Sequence, residues 1–380
     1  MTLLSIVGED ISRIIPVLYA YKDKIKQHVL LCDDDPSNYD RAKILQKGMH
    51  TFSDKNSLDW YIKIITTNED SALDINTVAK KQFNNESELW LNATDGYPAM
   101  TIILTRLIHN EGGKVLSYDH FDNDLHIIEP NGSMNTSKLD SHIDIDSYLT
   151  LLDYNIVSKQ TKTQLQSRKK HIFSLYKNES LFKKVRKTII DKHFGYKNNF
   201  NLSMVEDMLQ ILYKLKILDK NYKLIPSQQK VLQGDLFEEY IFWLCEELNP
   251  DDILMGVKID FDDKNIEPKD QYRVMNEFDI LLIHNNRIFT VECKFSQNLE
   301  GLEMIYKYDA IIDYFGKSSK AIIANISSKS KESYMGTKVS SNFQHSTLRR
   351  ARLAGVSVYH ESEVNVVKFQ NLVRNFFHIN

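Results

Sequence analysis

Three cysteines in 380 residues, Cys32, Cys245 and Cys293, are too few and too scattered for a disulfide framework or a zinc motif. Such a chain is expected in a reducing cytoplasm. No run of about 18 apolar residues occurs, which leaves no candidate for a membrane-spanning helix. The opening MTLLSIVGED has neither a basic stretch nor a long apolar core, and reads as a first strand rather than an export signal. The dinucleotide fingerprint G-x-G-x-x-G is missing after that strand, which disfavours NAD, and no P-loop motif is present.

What the chain does contain is 42% hydrophobic and 26% charged residues, the profile of a globular protein. Its length predicts at least two domains. The net charge of −3 says nothing about nucleic acid, but its distribution is uneven. From Leu151 to Phe200 twelve basic residues face only Asp153, Glu179 and Asp191, a net of +9. That stretch could hold a phosphate backbone. It could equally be a solvated helical face or a connector.

Residues 1–145 alternate strand candidates (LLSIVG, HVLLCD, ELWLNATDG, KVLSYDH, DNDLHIIEP) with helical patterns such as DRAKILQKGM and AMTIILTRLIHNEGG. This order predicts an α/β domain with a parallel, Rossmann-like sheet. Ligands in such sheets bind at the carboxyl ends of the strands. The loops there are Gly8-Glu9-Asp10 with Ile11 following, Asp33-Asp34-Asp35, and Thr94-Asp95-Gly96-Tyr97-Pro98. Residues 146–227 read as a helical connector. In it LSMVEDMLQILYKLKILDKNYKLIP suggests helix, turn and short hairpin, as in a small winged-helix unit.

The most informative stretch is NEFDILLIHNNRIFTVECKF, Asn276 to Phe295. Two apolar, β-branched runs flank Asn285-Asn286, which suits a type I′ hairpin turn. That register sets Asp279 opposite Glu292 and Glu277 opposite Lys294, all on one face. Two carboxylates facing each other across a ladder repel. A hard divalent cation, Mg²⁺ or Mn²⁺, would turn the repulsion into attraction. Lys294 beside them could polarise a water or stabilise charge on a phosphate. Upstream, GDLFEEYIFWLCEEL predicts a helix whose apolar face is Phe237, Tyr240, Ile241, Leu244 and Leu248. Glu238 falls on the rim of that face, as a further metal or water ligand, and Glu239 is expected to point to solvent.

These residues resemble the PD-(D/E)xK nuclease superfamily: a helix with Glu238, a strand ending in Asp279, and Glu292-Cys293-Lys294. The resemblance spans about residues 228–370, within a domain taken as 228–380. It implies a metal-dependent phosphodiester hydrolase with a restriction-endonuclease-like fold. Glu238, Asp279 and Glu292 would hold the cation together with the Cys293 backbone carbonyl, and Lys294 would act in catalysis. The helix EGLEMIYKYDAIIDYFG, the strand KAIIANI and a last strand in ARLAGVSVYH continue the order, and Tyr308 is a further candidate.

The whole chain resembles the ancillary nucleases of type III CRISPR systems, which join a CRISPR-associated Rossmann-fold (CARF) sensor to such a nuclease. The resemblance rests on domain order, on LWLNATDGYPAM and on SYLTLLDYNI. Asn92, Thr94, Gly96 and Met100 match the family's N-x-T-G-G-T-K-x-M pattern, whereas Asp95, Tyr97 and Pro98 depart from it. The missing lysine at position 98 removes the obvious phosphate contact, although free amides at the start of the next helix can bind an anion. The resemblance implies a homodimer binding a cyclic oligoadenylate, most often the tetramer, and cleaving single-stranded RNA or DNA. An ungated restriction- or repair-type DNA nuclease and a ligand-responsive DNA-binding regulator are the alternatives.

Overall fold

The computed structural model describes residues 1–68, 71–82, 88–190, 202–261, 275–294, 305–306, 314–326 and 345–377. The N-terminal sheet comprises β1 (Thr2–Ile6), β2 (Gln27–Asp33), β3 (Tyr61–Thr67), β4 (Leu89–Asn92), β5 (Lys114–Asp119), β6 (Asp124–Ile128) and β7 (Met134–Lys138), in the order β3-β2-β1-β4-β5-β6-β7. The first five are parallel, as the alternation with α1 (Ile15–Ala20), α2 (Pro36–Asn56), α3 (Ala72–Lys80) and α4 (Pro98–Asn110) requires. The sheet is not wholly parallel: β6 and β7 add an antiparallel ribbon at one edge, because each follows its neighbour through a short turn. The strand order reverses between β1 and β4, and the crevice at their carboxyl ends is where such sheets take ligands.

The middle segment begins with α5 (Ile145–Leu151) and holds α6 (Lys162–Leu165), α7 (Lys169–Tyr176), α8 (Glu179–Ile190) and α9 (Leu202–Lys214). After α9 the chain makes an isolated antiparallel bridge, Leu218 to Leu224, at the position of the expected short hairpin. The segment is not purely helical. Asn155–Thr161 forms β8, which pairs antiparallel with β9 (Asp252–Asp260) and becomes the edge of the second sheet.

That sheet runs β13-β12-β11-β10-β9-β8, with β10 (Met275–His284), β11 (Arg287–Lys294), β12 (Lys320–Ile326) and β13 (Val356–Glu361). The helix α10 (Leu236–Glu246) enters through one π-helical stretch, Val231–Asp235, and α11 (His345–Leu353) and α12 (Val366–Phe377) follow later strands. Strand β10 is covered on both faces. Ile280 and Leu282 pack in one core with α7 to α10, while Phe278, Leu281 and Ile283 pack in another with Ile14, Leu18 and Tyr118 of the N-terminal unit and Tyr148 of α5. A strand buried twice must read as a continuous apolar run. Among the described residues, no helix is long and apolar enough to cross a membrane.

Candidate active site

The hairpin forms in the expected register, Ile280 against Val291 through His284 against Arg287. Asn285 and Asn286 have φ of 50° and 58°, the left-handed pair a type I′ turn needs. Regular pairing runs only as far as Ile280 and Val291, so the strands part at Asp279 and Glu292. There the Cys293 amide donates to Asp279 Oδ2 at 2.7 Å, a side-chain acceptor standing in for a ladder carbonyl. Lys294 Nζ forms an ion pair with Glu292 Oε1, and the Glu292 side chain is only 6% exposed.

Glu238, on the first turn of α10, faces the same carboxylates. Burial and the charges of Asp279, Asp235 and Glu292 push its pKa up to about 8. Burial and the Glu292 charge push Asp279 up to about 7, against the opposing pull of the Cys293 amide and Lys294. Burial draws the Lys294 pKa down, but Glu292 and Asp279 outweigh it and the net shift is upward. The site is thus a partly desolvated carboxylate group with one ammonium, in which anions crowd each other.

Among the described residues, no three His, Cys, Asp or Glu side chains stand ready-arranged as a metal cage. What fits a divalent cation is the chemistry of the donors: hard oxygens whose mutual repulsion a cation would relieve. The Cys293 thiol is buried in the core around α10 and its pKa is raised well above that of a free thiol, so no thiolate role is open to it.

Two local expectations need correction. Glu277 does not face Lys294; it pairs with Lys258 on β9, and its carboxylate lies 3.5 Å from Lys258 Nζ and 3.8 Å from Lys230 Nζ. Glu239 is not solvated. It is 1% exposed and meets the Arg168 guanidinium twofold, at 2.7 and 3.1 Å. The amphipathic pattern assumed one solvent face on α10, but α7 and its flanks cover that face. The same packing pairs Lys162 and Lys169 with Glu246, and other cations of the basic stretch are also engaged, Lys159 with Asp146 and Lys183 with Glu179. Tyr308 lies outside the described residues.

A second concave site lies at the switch point of the first sheet, a cavity of about 630 Å³ lined by Glu9, Asp10, Asp95, Gly96, Tyr97 and Pro98 among others. Gly8, Ile11 and Thr94 stand behind this lining. The Gly8 amide donates to Asp95 Oδ2 at 2.9 Å, Ile11 packs on the core, and Thr94 Oγ1 bonds Asn92 and the Tyr118 amide. Gly96 has no room for a side chain, since a Cβ would stand 2.3 Å from Thr101 Oγ1. The acidic loop after β2 does not enter the cavity: Asp35 caps α2, and Asp33 holds Asn38, whose amide also bonds the Tyr97 hydroxyl. Sequence reasoning missed Arg13, Tyr118, His120, Phe121 and Lys317 in this lining. The SYDHF stretch could have been found as the end of a parallel strand, but Lys317 arrives from the other sheet's unit and carries no local signal.

Residues 226–376 match the family model described as the Card1-like endonuclease domain. No curated protein matches the chain by sequence. Among solved structures, protein VC1899 from Vibrio cholerae is similar over 100% of this chain and 98% of its own, at 14% identity and a TM-score of 0.74. Can2 from Sulfobacillus thermosulfidooxidans, solved in complex with cyclic tetra-adenylate, is similar over 99% of each chain, at 12% identity and a TM-score of 0.65. A type III CRISPR defence DNA nuclease activated by cyclic oligoadenylate aligns with 94% of this chain and 50% of its own, at 12% identity and a TM-score of 0.51. These likenesses establish the fold: a Rossmann-like domain followed by a second mixed α/β domain that carries the Card1-like endonuclease match.

Proposed function

We propose that this chain, whose C-terminal part is a Card1-like endonuclease domain and which is therefore a phosphodiester hydrolase, cleaves single-stranded RNA or DNA with Mg²⁺ or Mn²⁺. In this reading a cyclic oligoadenylate, most often the tetramer, bound between the CARF domains of a homodimer switches it on in CRISPR antiviral defence. The carrying observation is that Glu238, Asp279, Glu292 and Lys294 gather at one end of a hairpin whose turn, at the other end, accepts a hydrogen bond from Tyr118 of the cavity lining.

Glu238, Asp279 and Glu292 would hold the cation, with the Cys293 carbonyl as a further oxygen. When bound, the cation supplies Lewis-acid activation of the phosphate and a more acidic water. Lys294 sits where its ammonium can steady negative charge on the phosphate, and its ion pair with Glu292 keeps it protonated and aimed. Asp279 is oriented by the Cys293 amide, so its second oxygen is the one available for the cation. Two supports favour gating: the fold shared with Can2, whose structure contains cyclic tetra-adenylate, and the cavity at the position such folds use for ligands.

The test is cleavage of labelled single-stranded RNA and DNA with Mn²⁺, with and without cyclic tetra-adenylate. Cleavage only with the ligand supports the reading. Equal cleavage without it points to an ungated nuclease, and duplex binding with no cleavage points to a regulator. Glu292→Gln and Lys294→Ala should each lower the rate by about 100-fold or more, the scale of losing one preorganised electrostatic partner, while ligand affinity stays unchanged.

A further inference from the structure

The CARF cavity is not built by the CARF domain alone. Lys317 and Ser318, on the segment that leads into β12 of the nuclease sheet, line it beside Glu9, Asp10 and Arg13. The segment is pinned there by its backbone. The Lys317 amide donates to Asp10 Oδ2 at 2.9 Å, and Asp10 also accepts from the Ser12 amide. Gly316 makes the approach possible: its φ is +98°, and a Cβ would stand 1.9 Å from Ser12 Oγ. The Lys317 side chain is held differently. Its ammonium forms an ion pair with Glu9 in which the two side chains are 64% and 60% exposed. Such an exposed pair contributes little and exchanges readily.

The surrounding acids are already engaged. Asp95 accepts from the amides of Gly8 and Asp10, and Asp119 accepts from the amide of Phe121 at 2.8 Å. His120, by contrast, is 4% exposed and lines the cavity, and neither of its ring nitrogens bonds another side chain. Behind it lies Arg287 of the nuclease hairpin, 1% exposed, its guanidinium 5.1 Å from the Phe121 ring. Among the described residues no carboxylate lies within ion-pair distance of Arg287. Arg287 gives one N–H to the Ser318 carbonyl at 3.2 Å and lies over the Phe121 and Phe289 rings, so its charge, together with Arg13 and Lys317, makes this side of the cavity electropositive, a setting that suits an anionic ligand.

We propose that Lys317 is a ligand-binding residue contributed by the nuclease unit to the sensor cavity: on binding, its ammonium leaves Glu9 for a phosphate of the ligand, which also takes contacts from Arg13 and His120. This rests on the reading of the cavity as an oligoadenylate site and supplies the cation that position 98 lacks. Because Lys317 is three residues before β12, the ligand grips the nuclease sheet directly. Strand β12 pairs with β11 so that Ile323 lies beside Glu292 and Asn325 beside Lys294. At ~3.3 Å per residue, a pull at Lys317 reaches the catalytic end through a three-residue turn and about 16 Å of paired strand, Lys320 to Asn325.

The experiment is isothermal titration calorimetry of the full chain with cyclic tri-, tetra- and hexa-adenylate, on the wild type, Lys317→Gln, Glu9→Gln and the double variant. Losing one charge-assisted hydrogen bond should weaken binding by about 10- to 100-fold in Lys317→Gln. Glu9→Gln should tighten binding by about 2- to 5-fold, the scale of an exposed pair no longer competing, and should do nothing once Lys317 is gone. Wild-type affinity in Lys317→Gln overturns the proposal and leaves the oligoadenylate reading standing. If the wild type binds no cyclic oligoadenylate, that reading falls, and ATP, cyclic dinucleotides and linear oligoadenylates replace the probe. Weaker binding of one of these to Lys317→Gln then supports the lysine's role; binding of none overturns it too.

Discussion

Adjacent glutamates on α10 divide two tasks. Glu238 meets the other carboxylates, whereas Glu239, itself buried, anchors the half-buried Arg168. Neutral substitutions should therefore separate. Glu238→Gln should abolish cation-dependent cleavage and leave the metal-free protein at least as stable, since it removes a crowded charge. Glu239→Gln should leave the chemistry in place but lower stability by about 1–3 kcal/mol. That figure is below the usual loss for a broken buried pair, because Arg168 is 33% exposed and can regain water. Thermal melts beside cleavage rates at a permissive temperature decide the matter; loss of activity with unchanged melting in both variants would contradict this division.

At the scale of the element, the Asn285-Asn286 turn does more than reverse the chain. Asn286 is 1% exposed, accepts from the Ile143 amide at 3.0 Å and donates to Asn123 Oδ1 at 3.2 Å, while Tyr118 OH donates to the Asn285 carbonyl. The tip is thereby fixed to β5, whose Tyr118 lines the cavity, and to the turn that follows it. Glycine accepts the positive φ but makes none of these side-chain bonds. Asn286→Gly should keep the hairpin yet lower the ratio of cleavage with ligand to cleavage without it. The stability loss should be about 1–3 kcal/mol for the orphaned Ile143 amide. An unchanged activation ratio would show that the tip is only an anchor.

For the whole molecule, the crowded acids tie stability to pH and to cations. Glu238 and Asp279 have folded pKa values raised above those of the free side chains. Their contribution is full below about pH 4 and is lost as pH rises through about 7 to 8. Metal-free protein should therefore melt several degrees lower at pH 9 than at pH 6, and saturating Mn²⁺ should remove most of that fall. Glu238→Gln should flatten the metal-free slope. A melting temperature indifferent to both pH and Mn²⁺ would mean that these carboxylates do not form one site.

The sequence by itself determined the hairpin, its turn, its register from Ile280–Val291 to His284–Arg287, and the alternating order of the first domain. These are set by period-two patterning and by Asn tolerating a left-handed backbone, which act over a few residues. Only the tertiary structure decided which face of α10 meets solvent, since the helices around Arg168 and Lys169 cover the side that an isolated amphipathic helix would expose. It likewise decided that Glu277 turns to Lys258, because β9 lies on that side of the sheet. Lys317 reached the cavity of the first sheet by the same kind of cause: Gly316 and Asp10, some 300 positions apart in the chain, meet only once both sheets have packed.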